Sequence, residues 1–433
     1  MTIAHDGGGV NSDLGPFAWT TRILASDYKP FSPRVNLISP YHSPFKTNIT
    51  QPQLLHLQKK NHTTPWRICE SSVHPPLSPV TTPLILVMDH YAPHPSAAFE
   101  GYYSRFSLPD HSSVCLIVSS VPAAERSATS IADLRSKRPF YIVLTYTGPD
   151  SSRVVQKEFW PDAFAVDDAH KDTIGFTIAW DSGHLKWDRR TDTVSWNLDT
   201  PVARFIAETN GERVPWKKGD RRSTPAGLIA SLPSPIQWHV HSLSSDCTFE
   251  LSLPEEGIED EGQAKVHYEK NWAVSFPDSY IWLQARDHER QTGVCLAGGS
   301  LLPGVQAFLV GYHGSHAVNR HVSYIPWSIF GFTLSGLSTT ISWPERQFKV
   351  DIQGWFKRLR ITATAPKETF FNFAAPLRTG HQPDYCTQSY QTTVEVEVSE
   401  RQWPWQGWVV TEREEYERGG MEFGGEFMKR HDE

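Results

Sequence analysis

Cysteine is scarce in this chain and follows no pattern. Its five residues, Cys69, Cys115, Cys247, Cys295 and Cys386, are odd in number, far apart and never arranged as CxxC. That excludes a disulfide framework and a structural zinc site, and predicts free thiols in a reducing compartment. Long apolar runs are missing too. LILVM, Leu84 to Met88, falls far short of the roughly 20 residues a membrane-spanning helix needs, and no later run does better. No Lys/Arg cluster stands out and the formal net charge is -7, so a polyanion meets no electrostatic footprint and nucleic acid is not an expected partner. A Gly-rich phosphate loop, a GxSxG elbow, HExxH and Cys/His dyad spacings are all absent, which removes most cofactor-dependent and hydrolytic classes and leaves chemistry without a cofactor. The start, MTIAHDGGGVNSDLG, lacks the marks of a signal or transit peptide. The expected location is cytoplasmic, with the sequons at Asn48 and Asn61 unglycosylated.

What the chain does have is aromatic surface: 12% Phe, Trp and Tyr, including 16 Trp. Such residues suit a fold that lines a cavity. Thirteen of the 32 prolines fall in the first 95 residues, a density that blocks helix interiors and central strands, so residues 1–88 read as a proline-rich extension. Beyond it come short runs of strand length and composition: SSVCLIVSSV, PFYIVLTYTG, DTIGFTIAW, IQWHVHSL, SYIWLQAR, GVCLAGG, FKVDIQGWF, RLRITATA and TTVEVEVSE. Helical periodicity is confined to a short helix over Ser127 to Lys137. The fold class is therefore all-β. The last stretch, residues 411–433, has eight acidic and four basic residues around paired glycines and reads as a solvated, charged tail.

A weak internal repeat divides the strand-rich region. Glu100-Gly-Tyr-Tyr and Glu269-Lys-Asn-Trp each lead to an apolar-Pro-Asp turn and then a strand. Two β-barrel domains, 89–255 and 256–410, follow, with the two motifs expected at equivalent places in them.

At these motifs the sequence resembles the tocopherol cyclase family. FEGYYSRFSLPDHSSVCLIVSSVP, Phe99 to Pro122, is similar to the family's FEGWY segment; YEKNWAVSFPDSYIWLQAR to its EKNWG block; and CLAGGSLLPG to its AGG turn. The likeness spans roughly Asp89 to Val410. It implies tandem calycin or lipocalin-like β-barrels around a lipophilic substrate, and a ring closure in which a phenol adds across a prenyl double bond. Tyr102 stands where the family has Trp, Ala273 where it has Gly, Asp278 and Ser279 where it has a basic pair, and no plastid-targeting sequence is seen. The expected activity is thus that of an intramolecular cyclase on a prenylated phenol, quinone methide or polyene of specialised metabolism.

Closing such a ring without a cofactor requires an acid for the alkene, π faces around the developing cation and a base for the phenol proton. Glu269 or Asp278, desolvated against rings, could supply the acid. Trp272, Tyr280 and Trp282 could shelter the cation, and Tyr268 or Asn271 could orient the phenol oxygen. The plainer alternatives are that Glu269 forms half of a salt bridge with Lys270, that Asp278 is a turn residue after Pro277, and that Glu100 braces the first barrel. His239 and His241 lie at i and i+2 on a strand and share a face, which suits a structural pair, a base or substrate anchor, or two metal ligands without a visible third. Aromatics of both halves, Tyr102, Trp238, Trp272, Trp282 and Trp327, should meet in one cavity. Two other functions fit the same fold: a pericyclase, which needs shape and one hydrogen-bond donor, and a non-catalytic carrier with a wholly apolar cavity. A buried carboxylate or histidine at the cavity favours the acid-catalysed cyclase.

Overall fold

Each run named above becomes a strand, because β-branched and aromatic residues recur with a period of two and bury at least one face: both faces in β3, one in β19 and β20. In the computed structural model, which describes residues 90–428 other than 150–152, 228–229, 231–235, 303, 325, 330–331 and 334–335, these strands form two antiparallel sheets. The proline-rich residues 1–88, Cys69 and both sequons lie outside the described residues.

The first sheet holds β1 (Phe99–Ser107), β2 (Ser113–Ser120), β3 (Phe140–Thr147), β4 (Val154–Phe159), β5 (Ala165–Asp167), β6 (Gly175–Trp180), β7 (Gly183–Asp188), β8 (Thr193–Asp199), β9 (Arg204–Thr209), β10 (Ile236–Leu253) and β11 (Ile258–Ala273). The second holds β12 (Ser279–Asp287), β13 (Thr292–Leu302), β14 (Val305–His313), β15 (Val322–Tyr324), β16 (Trp327–Ile329), β17 (Phe332–Thr333), β18 (Leu337–Ser342), β19 (Gln347–Gln353), β20 (Lys357–Thr364), β21 (Phe371–Leu377), β22 (Gly380–Glu400) and β23 (Val409–Gly425). The spatial order of the first is β4-β3-β2-β1-β11-β10-β9-β8-β7-β6-β5. In the second it is β17-β16-β14-β13-β12-β23-β22-β20-β19-β18, with β15 on β14 and β21 on β22. In each sheet the first and last strands pair, β1 with β11 and β12 with β23. Two short helices, α1 (Pro122–Ser127) and α2 (Ile131–Lys137), join β2 to β3. The helix expected over Ser127 to Lys137 begins later, at Ile131, where the Ser130 side chain caps α2 by accepting from the Asp133 N–H.

Each sheet curls around its own core. Phe106, Trp187, Trp196, Phe205 and Tyr268 fill the first, while Leu283, Phe308, Phe348 and Met421 fill the second. The outer faces then meet. Tyr141 and Val143 of β3 pack with Phe373, Ala375 and Cys386, and Trp238 and Val240 of β10 pack near Cys295 of β13. This is a half-closed, lipocalin-like arrangement in which the space between the halves is lined from both sides. Cys115, Cys247, Cys295 and Cys386 are free and buried.

The structure corrects two sequence expectations. The Glu100 and Glu269 motifs do not occupy equivalent places in two barrels: β1 and β11 are neighbours in one sheet, with Tyr103 opposite Glu269. The second motif differs because its Phe-Pro-Asp turn carries the chain across to β12 of the other sheet, whereas the first turn leads back along the same sheet. The stretch expected to be a charged tail is largely β23, which closes the second sheet between β12 and β22. Along it exposed Arg413, Glu415 and Glu417 alternate with buried Glu412, Glu414 and Tyr416, so one face is wet and the other is covered, with the two buried carboxylates held by Asn319 and Arg290. The boundaries drawn at 255/256 and 410/411 fall at the β10–β11 turn and inside β23.

Candidate active site

Because neighbouring residues on a strand point to opposite faces, β11 divides its ionisable residues between two environments. Lys270 faces the core of the first sheet. It is fully buried and pairs with Glu100 at 2.6 Å, with His94 Nδ1 2.9 Å away. Burial pulls the Glu100 carboxyl up, but the Lys270 charge and His94 outweigh it and hold its pKa below the ordinary range. Glu100 is the brace its plainer reading suggests, and its partner is Lys270. Glu269 points the other way, toward the second sheet. It accepts from Trp282 Nε1 at 2.7 Å and meets His267 Nε2 at 3.0 Å. The Glu269–Lys270 ion pair is therefore not formed.

Between the sheets lies a cavity of about 280 Å³. Its first-sheet wall includes Gly101, Tyr103, Ile117, Ser119, Trp238, Glu269 and Asn271. Tyr280, Trp282, Ala297, Leu309, Cys386 and Glu422 come from the second, while Phe276 and Pro277 belong to the crossing turn. A larger depression of about 440 Å³ at Arg135, Arg138, Trp160 and Asp162 is a surface feature whose acid is already held by Arg135 in a two-point contact.

Six of the sequence candidates border the cavity: Tyr102, Trp238, Glu269, Asn271, Tyr280 and Trp282. The Tyr102 ring nevertheless packs against Tyr91 and Phe176 in the first core. Its neighbour Tyr103 takes the cavity side, with its ring 4.9 Å from Trp282 and its hydroxyl 3.1 Å from both Tyr390 and Gln388.

The remaining candidates lie elsewhere. His239 and His241 do share a face, but it is the opposite one, because Trp238 and Val240 take the cavity side of β10. Their rings sit 4.2 Å apart, His241 lies against Tyr91, and burial with the charges of His239 and Arg213 holds the His241 pKa far down. Neither can exchange a proton with Glu269 directly. Tyr268 is packed in the first core between Tyr91 and Trp196, and Trp272 stacks on His94 at 4.2 Å, both on the Lys270 side. Asp278 is exposed at the crossing turn, where its carbonyl accepts from the Glu426 N–H and the Tyr385 hydroxyl. It is the turn residue that a place after Pro277 implies. Trp327 is in β16, whose side chains are outside those described.

The group that sequence reasoning missed is Glu422, on β23 opposite Trp282. Burial raises its carboxyl most, Glu269 raises it further, and the hydrogen bond from the Tyr280 hydroxyl only partly offsets them; the pKa stands at about 8. At neutral pH it is a carboxylic acid facing an apolar cavity. Tyr280 also lies 2.8 Å from Cys386 Sγ and is itself pushed well up by burial, so it stays a donor. Two glycines make room for this arrangement. A side chain at Gly424 would fall inside the Tyr280 ring, and one at Gly420 would come within 2.8 Å of Trp282. The paired glycines of RGGMEFGGEF were the available signal: they set Glu422 between two buried apolar residues and cradle two rings.

Among the described residues no cluster of three or more His, Cys, Asp or Glu side chains could hold a metal ion, and no helix is long and apolar enough to cross a membrane. No curated protein matches the chain in sequence. Several solved structures are similar in outline. One described as AttH from Nitrosomonas europaea is 11% identical, with 81% of this chain and 99% of that one covered and a TM-score of 0.47. CghA with Sch210972 is also 11% identical, with 76% and 88% covered and a TM-score of 0.42. Kievitone hydratase from Nectria haematococca is 10% identical, with 77% and 91% covered and a TM-score of 0.44. The family model for tocopherol cyclase-like proteins matches residues 148–425, well over half of the sequence and every second-sheet residue of the cavity wall, and the chain belongs to that family.

Proposed function

We propose that the protein is a cofactor-independent cyclase that closes a ring on a lipophilic prenylated phenol, quinone methide or polyene by protonating an alkene inside the inter-sheet cavity. One observation carries this reading: the Glu422 carboxyl is buried beside aromatic rings in an apolar space, where burial pushes its pKa up to about 8. In the proposed step the Glu422 proton forms a new C–H bond at one alkene carbon. The phenol oxygen bonds to the other carbon, and the phenolic proton is released, so substrate and product are isomers and no oxidant is needed.

Positive charge that builds up on carbon is sheltered by the π faces of Trp282, Tyr280 and Trp238. Glu269 is assigned to the phenol end. An indole N–H only donates, so its bond from Trp282 marks Oε1 as an acceptor, and His267 at Oε2 gives the released proton a place to be shared. Asn271 and Tyr103 orient the oxygen. The roles thus differ from those expected from the sequence: Glu422 replaces Glu269 as the acid, and Glu269 with His267 replaces His239 and His241. A carboxyl in the cavity also separates this reading from a pericyclase or a passive carrier, neither of which needs one.

The test is incubation of purified protein with a panel of prenylated hydroquinones and polyenes, following conversion to products of unchanged mass. Wild type should convert at least one class, and Glu422→Gln should lower turnover on it by about 10² to 10⁴, the usual contribution of general acid catalysis. Equal turnover by a folded Glu422→Gln variant would remove the acid step.

A further inference from the structure

Two neighbouring turns at one end of the second sheet hold large aromatic rings out in water. Trp355 and Phe356, between β19 and β20, are 75% and 49% exposed, and Trp403 and Trp405, between β22 and β23, are 54% and 79% exposed. The turns are tied to each other. The Arg401 N–H donates to the Phe356 carbonyl at 3.0 Å and its Nε to the Trp355 carbonyl at 2.7 Å, while its guanidinium lies 4.1 Å from the centre of the Trp408 ring. Gln406 Oε1 accepts from the N–H groups of Gln402 and Trp403 at 3.1 and 3.0 Å, and the Gln406 N–H returns to the Trp403 carbonyl at 3.0 Å. The Trp403 and Trp405 rings stack with centroids 5.4 Å apart. The polar groups of this loop are thus used to brace it, and the rings are displayed rather than folded back.

Four large rings held in water on two hydrogen-bonded turns mark a surface that meets something other than water. We infer that these turns dock the protein on the surface of a membrane containing anionic phospholipid. Three features favour lipid over a protein partner. The patch sits on protruding turn tips instead of a flat face of the size a stable protein interface buries. It is dominated by Trp, whose ring settles at the headgroup level with its N–H toward water. Every charged residue within 353–358 and 401–410 is basic, in a chain whose net charge is -7. Lys357 and Arg358 are paired with Glu400 and Asp351, whereas Arg401 has no carboxylate partner among the described residues. Glu422 lies 13 residues along β23 from Val409, about 40 Å at strand rise, so docking at the tips leaves the cavity uncovered.

The test needs no substrate, and its outcome is independent of the cyclase reading. The full chain is sedimented with phosphatidylcholine vesicles made with and without phosphatidylserine, beside the Trp355→Ser/Trp403→Ser/Trp405→Ser variant and the single Trp405→Ser variant. Thermal melting confirms that each variant is folded. Wild type should bind the anionic vesicles more tightly than the neutral ones, and the triple variant should lose about tenfold or more of that binding, with Trp405→Ser between them. Failure of wild type to sediment, or equal sedimentation of the triple variant, overturns the proposal. So does a wild-type dimer that becomes monomeric in the triple variant without any vesicle binding, which would make the patch a contact between copies of the chain.

Discussion

Glu422 stays protonated because nothing cationic compensates it: its neighbours are a phenol, a thiol and a second carboxyl. A folded-state pKa above the unfolded one means the native protein keeps a proton the unfolded chain has lost. Stability should therefore fall as pH rises from about 4.5 to about 8, by up to about 1.4 kcal/mol per pH unit, with Glu422 contributing no slope below that window. Glu422→Gln should flatten that limb, which denaturant unfolding at a series of pH values checks. The same proton governs catalysis. Turnover should decline as pH rises through about 8 in wild type, and an activity that increases through that point would assign Glu422 the role of a base. Glu269→Gln should also impair turnover, but by losing the acceptor at the phenol end, so its residual rate should still decline as pH rises, with the midpoint moved below that of wild type because the Glu269 charge no longer raises Glu422.

At the scale of elements, β11 and β23 carry the site, and each does so by sorting alternate residues onto two faces. On β11 the core-side pair of Lys270 and Glu100 fixes the strand against β1. Lys270→Met leaves a buried carboxylate without its cation and should cost about 3–5 kcal/mol, whereas Glu100→Gln, which keeps shape and removes charge, should lower the melting temperature more than the turnover. On β23, Gly424→Ala places a methyl group where the Tyr280 ring lies, so the ring must move and carry its hydrogen bond away from Glu422. A turnover loss with a smaller change in melting temperature is the expected outcome, measured on the same sample. The strands themselves were legible because period-two alternation and turn residues are local signals. Which face of β10 or β11 met the cavity was not, because Trp238 and His239 are both acceptable core residues and only the packing of the second sheet decides between them. β23 was illegible for a related reason: EREEYER puts Glu412 and Glu414 beside Tyr416 on the buried face, where Tyr312, Ser315, Asn319 and Arg290 hold their carboxylates, and a run of charges does not show locally which of them will be paired.

For the whole molecule, the cavity exists because two curled sheets meet on their outer faces, so neither half contains the site alone. Tyr103, Glu269 and Asn271 come from one half, and Tyr280, Trp282 and Glu422 from the other. The sequence predicts that Tyr102, Trp238, Trp272, Trp282 and Trp327 converge from both halves; of these Tyr102, Trp238 and Trp282 border the cavity, as does Tyr280, the expected shelter for the cation. It could not foretell that Tyr268 and Trp272 would turn inward, since that follows from the pairing of β11 with β1 in one sheet. At about 280 Å³ the space is near the lower edge of the roughly 300–1,000 Å³ usual for ligand sites, so a compact ring-forming substrate should raise the melting temperature of wild type more than a long-chain analogue does.

The most direct measurement for the central claim is infrared difference spectroscopy of the carboxyl carbonyl band, recorded against pH on wild type and on Glu422→Gln. A neutral carboxylic acid in an apolar cavity should give a band that persists through neutral pH, titrates with a midpoint near 8 and is missing from the Glu422→Gln protein. A wild-type spectrum with no such band above pH 6, or one that Glu422→Gln leaves unchanged, would contradict the account.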